Sequence, residues 1–376
     1  MSTLHATRGQ ALKDTPPSPN TMGLGHMLLA RPIMALMDSE KAHGRAITLL
    51  KIVSTIAFGR LLLRVLYYPK KVKSKNFGLD FSNPLGLAAG MDKKAEAMIG
   101  WENMGFGFIE VGGVTMEEQS GNPKPRMFRS SKHRALINRM GFNNLGSKKM
   151  AQRLSQSKKP SIPVLLNIGK SKTTDLELAH EDYATTVKLC SPYVDGFVIN
   201  VSSPNTPNLR ELQNDEHLEK IIQSVQEFSQ EKPVLVKIAP DLENQQIRQI
   251  VDTAMANKCA GIIATNTTVE RPNQDGIMSE NGGLSGNPLR SRSTEVVRLI
   301  ADHTNGEWPI IGVGGISNAD DAWEKITNGA SLVQLYSALV FQGGGVVKQI
   351  VNGLDKKLKS AGLTSLDEAV GLARRV

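Results

Sequence analysis

The chain is 376 residues long, 40% apolar, 22% charged and only 5% aromatic, with 34 glycines, seven histidines and two cysteines. Scattered histidines and the lone pair Cys190 and Cys259, which lack metal-like spacing, argue against a disulfide-built secreted scaffold and a metal centre, and favour a reducing compartment. The formal charge of +9 lies wholly in residues 1–75, where twelve Lys and Arg face three acids, while the remainder carries 33 of each sign. Such a basic segment suits an anionic surface, and its leucines and isoleucines, in place of exposed aromatics and further arginines, favour a membrane over nucleic acid.

Residues 1–37 come first. Pro16, Pro17, Pro19 and Pro32 break any long helix there, and no apolar run with a small-residue cleavage site marks a secretory signal. This stretch is expected to be a disordered or variable segment, with roughly the first 25 residues disordered. Asp38–Ser39–Glu40 then makes a helix start, with acids at the positive end of the dipole. Ala42, Ala46, Leu49, Leu50, Val53 and Ile56 follow at three- and four-residue spacing, while Lys41, Arg45 and Lys51 fall largely elsewhere on the wheel. Gly59 is predicted to end this helix, and Arg60–Tyr67 to form a second one stopped by Pro69. Residues 38–76 thus read as an amphipathic unit able to lie in a membrane interface; a hairpin packed only against the rest of the protein is the alternative. No segment reads as a bilayer span, since the uncharged run Ile326–Val347 is broken by polar residues and glycines.

From residue 77 to 376 the pattern changes to eight short apolar runs bounded by turn residues: Asn83–Gly90, Gly107–Thr115, Ile162–Gly169, Gly196–Ser202, Pro233–Ala239, Gly261–Asn266, Pro309–Gly315 and Ser331–Ser337. They are too short and too continuously apolar for amphipathic helices, and helical segments separate them, so parallel strands with helical crossovers are predicted. Eight such units make an α/β protein of the (β/α)8 (TIM) barrel class, with functional groups at the C-terminal ends of the strands. Those ends carry Lys93, Asn138 (after a longer insertion), Asn167, Asn200, Lys237, Thr265, Asn266, Gly315, Tyr336 and Ser337. Any one of them could be a capping residue; the whole set points to a site. In FVINVSSPNTPNLR, Pro204 and Pro207 stiffen a loop that presents Ser203, Asn205 and Thr206, as a small, flat, polar ligand requires. Asparagine offers one acceptor and two donors without charge, matching an amide-edged ring.

The motifs NPLGLAAGMDK, GNPKPRMFR, INRMGFNNLG, NIGK, NVSSPNTPNLR, VKIAPDL, ATNTT, GGLSG, IIGVGGI and VQLYS occur in this order, and the resemblance they carry covers about Asp38–Val351. In order and spacing the chain resembles the dihydroorotate dehydrogenases, FMN-containing barrels of pyrimidine synthesis. Serine in SSPNTP, with the N-terminal extension, is similar to the membrane-associated, quinone-reducing class; the soluble classes carry cysteine there. The resemblance implies oxidation of (S)-dihydroorotate to orotate with Ser203 as base, and Thr206 and Phe142 as parts of a proton exit. It implies a substrate site of Lys93, which faces the carboxylate, with Asn138, Arg139, Met140, Gly141, Phe142, Asn200, Asn205, Asn266 and Thr267. It implies one FMN per chain, held by Ala89, Gly90, Met91, Asp92, Lys93, Gly113, Asn167, Asn200, Lys237, Thr265, Gly286, Gly315, Tyr336 and Ser337. The 38–76 unit becomes a quinone entrance, with His43, Arg129 and Tyr336 toward the quinone head. Where Gly113 stands the family often has threonine or serine, which removes a side-chain bond to the flavin. A monomer is expected, peripheral on the cytoplasmic face of a bacterial inner membrane, with the mitochondrial inner membrane as the alternative. Two other readings compete. A tRNA dihydrouridine synthase would need a catalytic cysteine and a basic RNA-binding tail, and a catalytically silent ligand-binding barrel leaves Ser203, Thr206, Lys93 and Lys237 unexplained.

Overall fold

The computed structural model describes residues 37–272 and 274–375, so the expectation for residues 1–36 lies outside the described residues. Helix α1 (Ser39–Thr55) is capped by the Asp38 carboxylate, which accepts from the Lys41 amide at 3.0 Å. Helix α2 (Ala57–Tyr67) follows after a single residue at an angle of 113°; no single described helix is long and apolar enough to cross a membrane. The break lies at Ile56 and not at Gly59, as the sequence suggests. Gly59 sits inside α2 because any side chain there would run into the Val53 carbonyl, so the glycine lets α2 fold back across the last turn of α1. Arg60 then donates to the carbonyls of Ser54 and Thr55 at 3.0 and 2.9 Å, satisfying two groups that a helix end leaves open.

The strands, in chain order, are β1 (Ser74–Asn76), β2 (Leu79–Phe81), β3 (Leu85–Leu87), β4 (Phe108–Val114), β5 (Met127–Ser130), β6 (Ala135–Asn138), β7 (Val164–Ile168), β8 (Gly196–Asn200), β9 (Val234–Ile238), β10 (Gly261–Ala264), β11 (Gly283–Gly286), β12 (Ile310–Val313) and β13 (Leu332–Leu335). Eight of them close a parallel barrel in the order β10-β12-β13-β3-β4-β7-β8-β9. Each falls within one of the eight apolar runs of the sequence. Amphipathic crossovers surround the barrel, among them α3 (Met98–Asn103), α4 (Gly146–Gln156), α5 (Ala179–Cys190), α6 (Asp215–Phe228), α7 (Asn244–Ala256), α8 (Arg290–His303) and α9 (Ala319–Thr327), followed by α10 (Ser337–Gln342) and α11 (Gly345–Ser360).

Two excursions shape the site. The antiparallel β1–β2 hairpin crosses the boundary expected between residues 76 and 77 and brings Phe77 and Phe81 to the base of the barrel. Phe81 meets Phe108 edge to face at 5.3 Å, and Gly86 has no side chain because the Phe108 ring occupies that space. At the other end, β5, β6 and β11 form a three-stranded antiparallel sheet. Asn138 therefore ends a strand of this sheet and not a barrel strand. Cys190 and Cys259 are free and buried, with burial pushing both thiols up to about 12.

Candidate active site

One cavity at the barrel mouth is lined by Ala89, Gly90, Lys93, Gly113, Asn138, Met140, Gly141, Phe142, Asn167, Asn200, Ser203, Asn205, Lys237, Thr265, Asn266, Thr267, Gly286, Gly315, Tyr336 and Ser337. The strand ends supply this convergence. Asn200 is in register with Lys237 across β8 and β9, while Asn167 of β7 pairs with Val198, two residues before Asn200; Asn200 is braced from outside by the Tyr183 hydroxyl, which donates to its carbonyl at 3.0 Å. The asparagines bond one another: Asn200 Nδ2 donates to Asn167 Oδ1 at 2.9 Å, Asn266 Nδ2 to Asn200 Oδ1 at 3.3 Å, and Asn205 Nδ2 to Asn138 Oδ1 at 3.2 Å. Gly90, Gly286 and Gly315 all have positive φ, which leaves backbone edges open where a ligand can approach closely. Lys93 donates to Asn143 Oδ1, and burial, reinforced by the Arg126 charge, draws its ammonium down to about 7. Phe142, at a positive φ, lays its ring beside Gly113 and Gly169; a Cβ on Gly113 would come within 2.6 Å of that ring and 2.8 Å of Asn167 Oδ1. The glycine at 113 and the placement of Phe142 thus go together.

A second, apolar cavity of about 240 Å³ lies between α1 and the barrel. Ala42, His43, Ala46, Ile47 and Leu50 of α1 face Met91, Trp101, Met104, Leu339 and Val340, with Arg129 at its wall. Burial, and then the Lys93 charge, bring the His43 imidazole down to about 4, so it is neutral near pH 7. Tyr336, Met127 and Leu136 line both cavities and form the partition between them. Burial pushes the Tyr336 phenol up to about 12. Outside, α1 and α2 expose Leu49, Ile52, Ile56, Phe58, Leu61, Leu62, Val65 and Leu66, which are eight of the twelve large apolar side chains exposed among the described residues; Phe58 is 72% exposed. An apolar strip so concentrated marks an interaction surface.

Residues 71–358 match the family described as dihydroorotate dehydrogenase. The chain is 46% identical over 359 residues to the dihydroorotate dehydrogenase (quinone) of Trichodesmium erythraeum, covering 90% of this chain and 95% of that protein. It is 50% identical over 326 residues to the protein of the same name from Nostoc punctiforme, covering 83% and 87%. The crystal structure of DHODH from Eimeria tenella in complex with ferulenol superposes with a TM-score of 0.82 at 36% identity, covering 90% and 96% of the two chains. The chain belongs to the dihydroorotate dehydrogenase family.

Four residues that the family resemblance implicates stand off the polar cavity wall. Met91 lines the apolar cavity instead. The Asp92 carboxylate turns away to accept from the amides of Glu96 and Ala97 at 2.7 and 2.8 Å and from Trp101 Nε1 at 3.1 Å, which makes it the anchor of the turn before α3. Arg139 pairs with Glu280 at 2.7 Å and stacks over Phe128. Thr206 is buried, and its hydroxyl finds no partner among the described residues. His43 and Arg129 line the apolar cavity.

Sequence reasoning passed over four polar residues that organise this dehydrogenase site. Glu110 and Gln334 sit within the apolar strands β4 and β13, and a charge or amide inside such a run is itself a signal of an inward polar contact. Glu40 and Arg126 join α1 to the loop before β5: Arg126 Nε and Nη2 meet the Glu40 carboxylate at 3.0 and 2.7 Å, and this bond holds the carboxyl below its usual range. Arg126 Nη1 also donates to the carbonyls of Ser120 and Asn122, and Asn122 Nδ2 in turn donates to the Asn205 carbonyl at 3.1 Å.

The polar cavity suits a flavin. It combines a buried cation in Lys237, a buried acceptor in Gln334 Oε1 that has no partner among the described residues, amides at its edge and glycine-bounded corners, the donor and acceptor set that a flat heterocycle with a phosphate tail requires.

Proposed function

We propose that the protein oxidises (S)-dihydroorotate to orotate in de novo pyrimidine (UMP) synthesis, with FMN, one per chain, in the barrel mouth and a membrane quinone as the final electron acceptor. The observation that carries this reading is the pair of cavities, one polar and one apolar, meeting at Tyr336, Met127 and Leu136. Family membership and the names of the relatives agree with it.

Desaturation beside a carbonyl removes one proton and one hydride, so it needs a base on one face of the substrate and a hydride acceptor on the other. A flavin bound in the barrel mouth would supply that acceptor. Ser203 takes the C5 proton. A serine hydroxyl is a weak base unaided, and Thr206 stands three residues on with a buried hydroxyl that has no partner among the described residues; a lone buried hydroxyl is costly, and a role in passing the proton outward gives it one. Asn138, Asn200, Asn205, Asn266 and Thr267 hold the ring edges, with the Met140–Phe142 turn beside them, and Lys93 pairs with the carboxylate. Lys237 would bring a positive charge to the flavin edge that becomes negative on reduction, Asn167 and Thr265 would bond that edge, and Gly286, Gly315, Tyr336 and Ser337 would offer backbone N–H groups to the phosphate. His43 and Arg129 face the quinone head.

The exposed strip on α1 and α2, together with the +9 charge of residues 1–75, supports peripheral seating on the cytoplasmic face of a bacterial inner membrane. The bacterial relatives favour that site over the mitochondrial inner membrane. The deciding experiment is anaerobic addition of dihydroorotate to the purified yellow protein, followed by quinone, fumarate or NAD. Bleaching by dihydroorotate and recovery with quinone alone is the expected result; colourless protein, or recovery with fumarate or NAD, would sink the proposal.

A further inference from the structure

Glu110 is fully buried inside the barrel, and its hydrogen-bond partners among the described residues, Asn167, Gln334 and Lys237, are none of those assigned above to the substrate. In β4 it pairs with Leu165, whereas Gly112 pairs with Asn167, so its side chain starts one layer deeper than the cavity floor. Its carboxylate accepts from Asn167 Nδ2 at 2.6 Å, from Gln334 Nε2 at 2.8 Å, and from Lys237 Nζ at 3.3 Å on each oxygen. A carboxylate has about four acceptor positions and no hydrogen to give, so this one is saturated by three neighbouring residues.

An acceptor-only group at the end of a row of amides imposes a direction on the row. Because Glu110 takes the NH₂ of Asn167, Asn167 must turn its oxygen to Asn200 Nδ2; Asn200 must then turn its oxygen outward, where it accepts from Asn266 Nδ2 and the Ser202 hydroxyl. Gln334 likewise spends its NH₂ on Glu110, which leaves Oε1 as its remaining acceptor. An amide can otherwise sit in either of two nearly isosteric orientations. Here one buried charge selects the same sense for three asparagines, from the barrel interior to the substrate rim.

We infer that Glu110 is a positioning residue for the flavin half-reaction: it fixes the donor and acceptor polarity of the Asn167–Asn200–Asn266 row and offsets the charge that Lys237 brings to the cofactor. This rests on the flavin reading above. Removing the negative charge leaves Lys237 uncompensated, which favours reduced flavin over oxidised; it also releases the amide row to flip.

The test compares holoenzyme carrying E110Q, E110D, K237Q and E110Q/K237Q with the unaltered protein, by anaerobic potentiometry against redox dyes and by orotate titration. E110Q should shift the preference for reduced over oxidised flavin by about tenfold or more, a rise of about 30 mV per factor of ten for a two-electron couple, and should weaken orotate binding at least tenfold. E110D keeps the charge, so its potential should stay at that of the unaltered protein while orotate binding weakens because the shorter stem loosens the row. With Lys237 already replaced, E110Q should no longer raise the potential. Identical potentials in E110Q and unaltered protein, or a shift that persists without Lys237, would overturn the inference. Should E110Q fail to fold, unchanged orotate affinity in E110D overturns the positioning role. Unaltered protein that binds no flavin would instead refute the cofactor reading itself.

Discussion

The two cavities share a wall but are built on opposite principles. In the barrel mouth nearly every polar group is bonded to another, so Asn167, Asn200 and Asn266 are oriented before any ligand arrives. Under α1 the walls are alanine, isoleucine, leucine and methionine, and the imidazole of His43 is neutral near pH 7. The first cavity can discriminate by hydrogen bonding, where one misplaced atom is costly; the second, with His43 and Arg129 among mostly apolar walls, discriminates chiefly by shape and apolarity. Single substitutions should therefore damage the polar site severely, and the apolar one should fail chiefly when a whole element is lost.

Deleting residues 1–66 removes α1 and most of α2 and so carries the largest expected effect. Reduction of long-tailed quinones should be lost and the protein should no longer float with anionic lipid vesicles, while dihydroorotate still bleaches the flavin. Full-rate turnover of long-tailed quinone by a folded truncation would erase the contrast between the cavities. Ser203→Ala should keep the flavin yet slow its reduction by dihydroorotate by ~10²–10⁴-fold or more, as for loss of a positioned base, and stopped-flow bleaching measures this. Near-normal bleaching removes Ser203 from the chemistry.

Lys93→Ala should weaken orotate binding by ~2–5 kcal/mol, the usual loss when a buried carboxylate is left without its charge partner. The native residue gives the same comparison a pH axis. Its ammonium is drawn to about 7 in the folded protein, and a carboxylate ligand favours the charged form, so binding above that pH requires proton uptake. Orotate affinity should hold below pH 7 and fall as pH rises beyond it, approaching tenfold per unit; a flat titration from pH 6 to about 9 would exclude Lys93 as the partner. The smallest effect belongs to Gly59→Ala, where the new methyl meets the Val53 carbonyl. Overpacking of this kind costs ~1–3 kcal/mol, which should appear as a lowered melting temperature and weaker quinone KM, with dihydroorotate bleaching untouched.

The barrel was legible because eight buried parallel strands leave eight apolar runs, and most of the polar cavity because strand ends in this fold converge. Legibility ended where contacts are distant in sequence. Nothing near Asp92 announces that its carboxylate will be consumed by the turn before α3, and nothing near Glu40 announces Arg126. Gly59 was misread because a glycine near a helix end usually stops it, whereas here it is a crossing point whose reason lies in the partner helix. Lys237 stands out as a cation within an apolar strand, but Glu110 and Gln334 pass unnoticed in theirs; only their meeting inside the barrel gives the three a common purpose.

Arg126 has a mechanical consequence. Its planar fork holds Glu40 on one side and the Ser120 and Asn122 carbonyls on the other, while Asn122 grips the backbone of Asn205. Sliding α1 along its axis by even one turn, about 5.4 Å, would strip a buried guanidinium of its counter-charge or drag the loop with it. The height at which the apolar helices ride on the barrel is therefore keyed by a polar joint that cannot slip by degrees, and any displacement of those helices is delivered as position, not as slack, to the loop that carries Asn205.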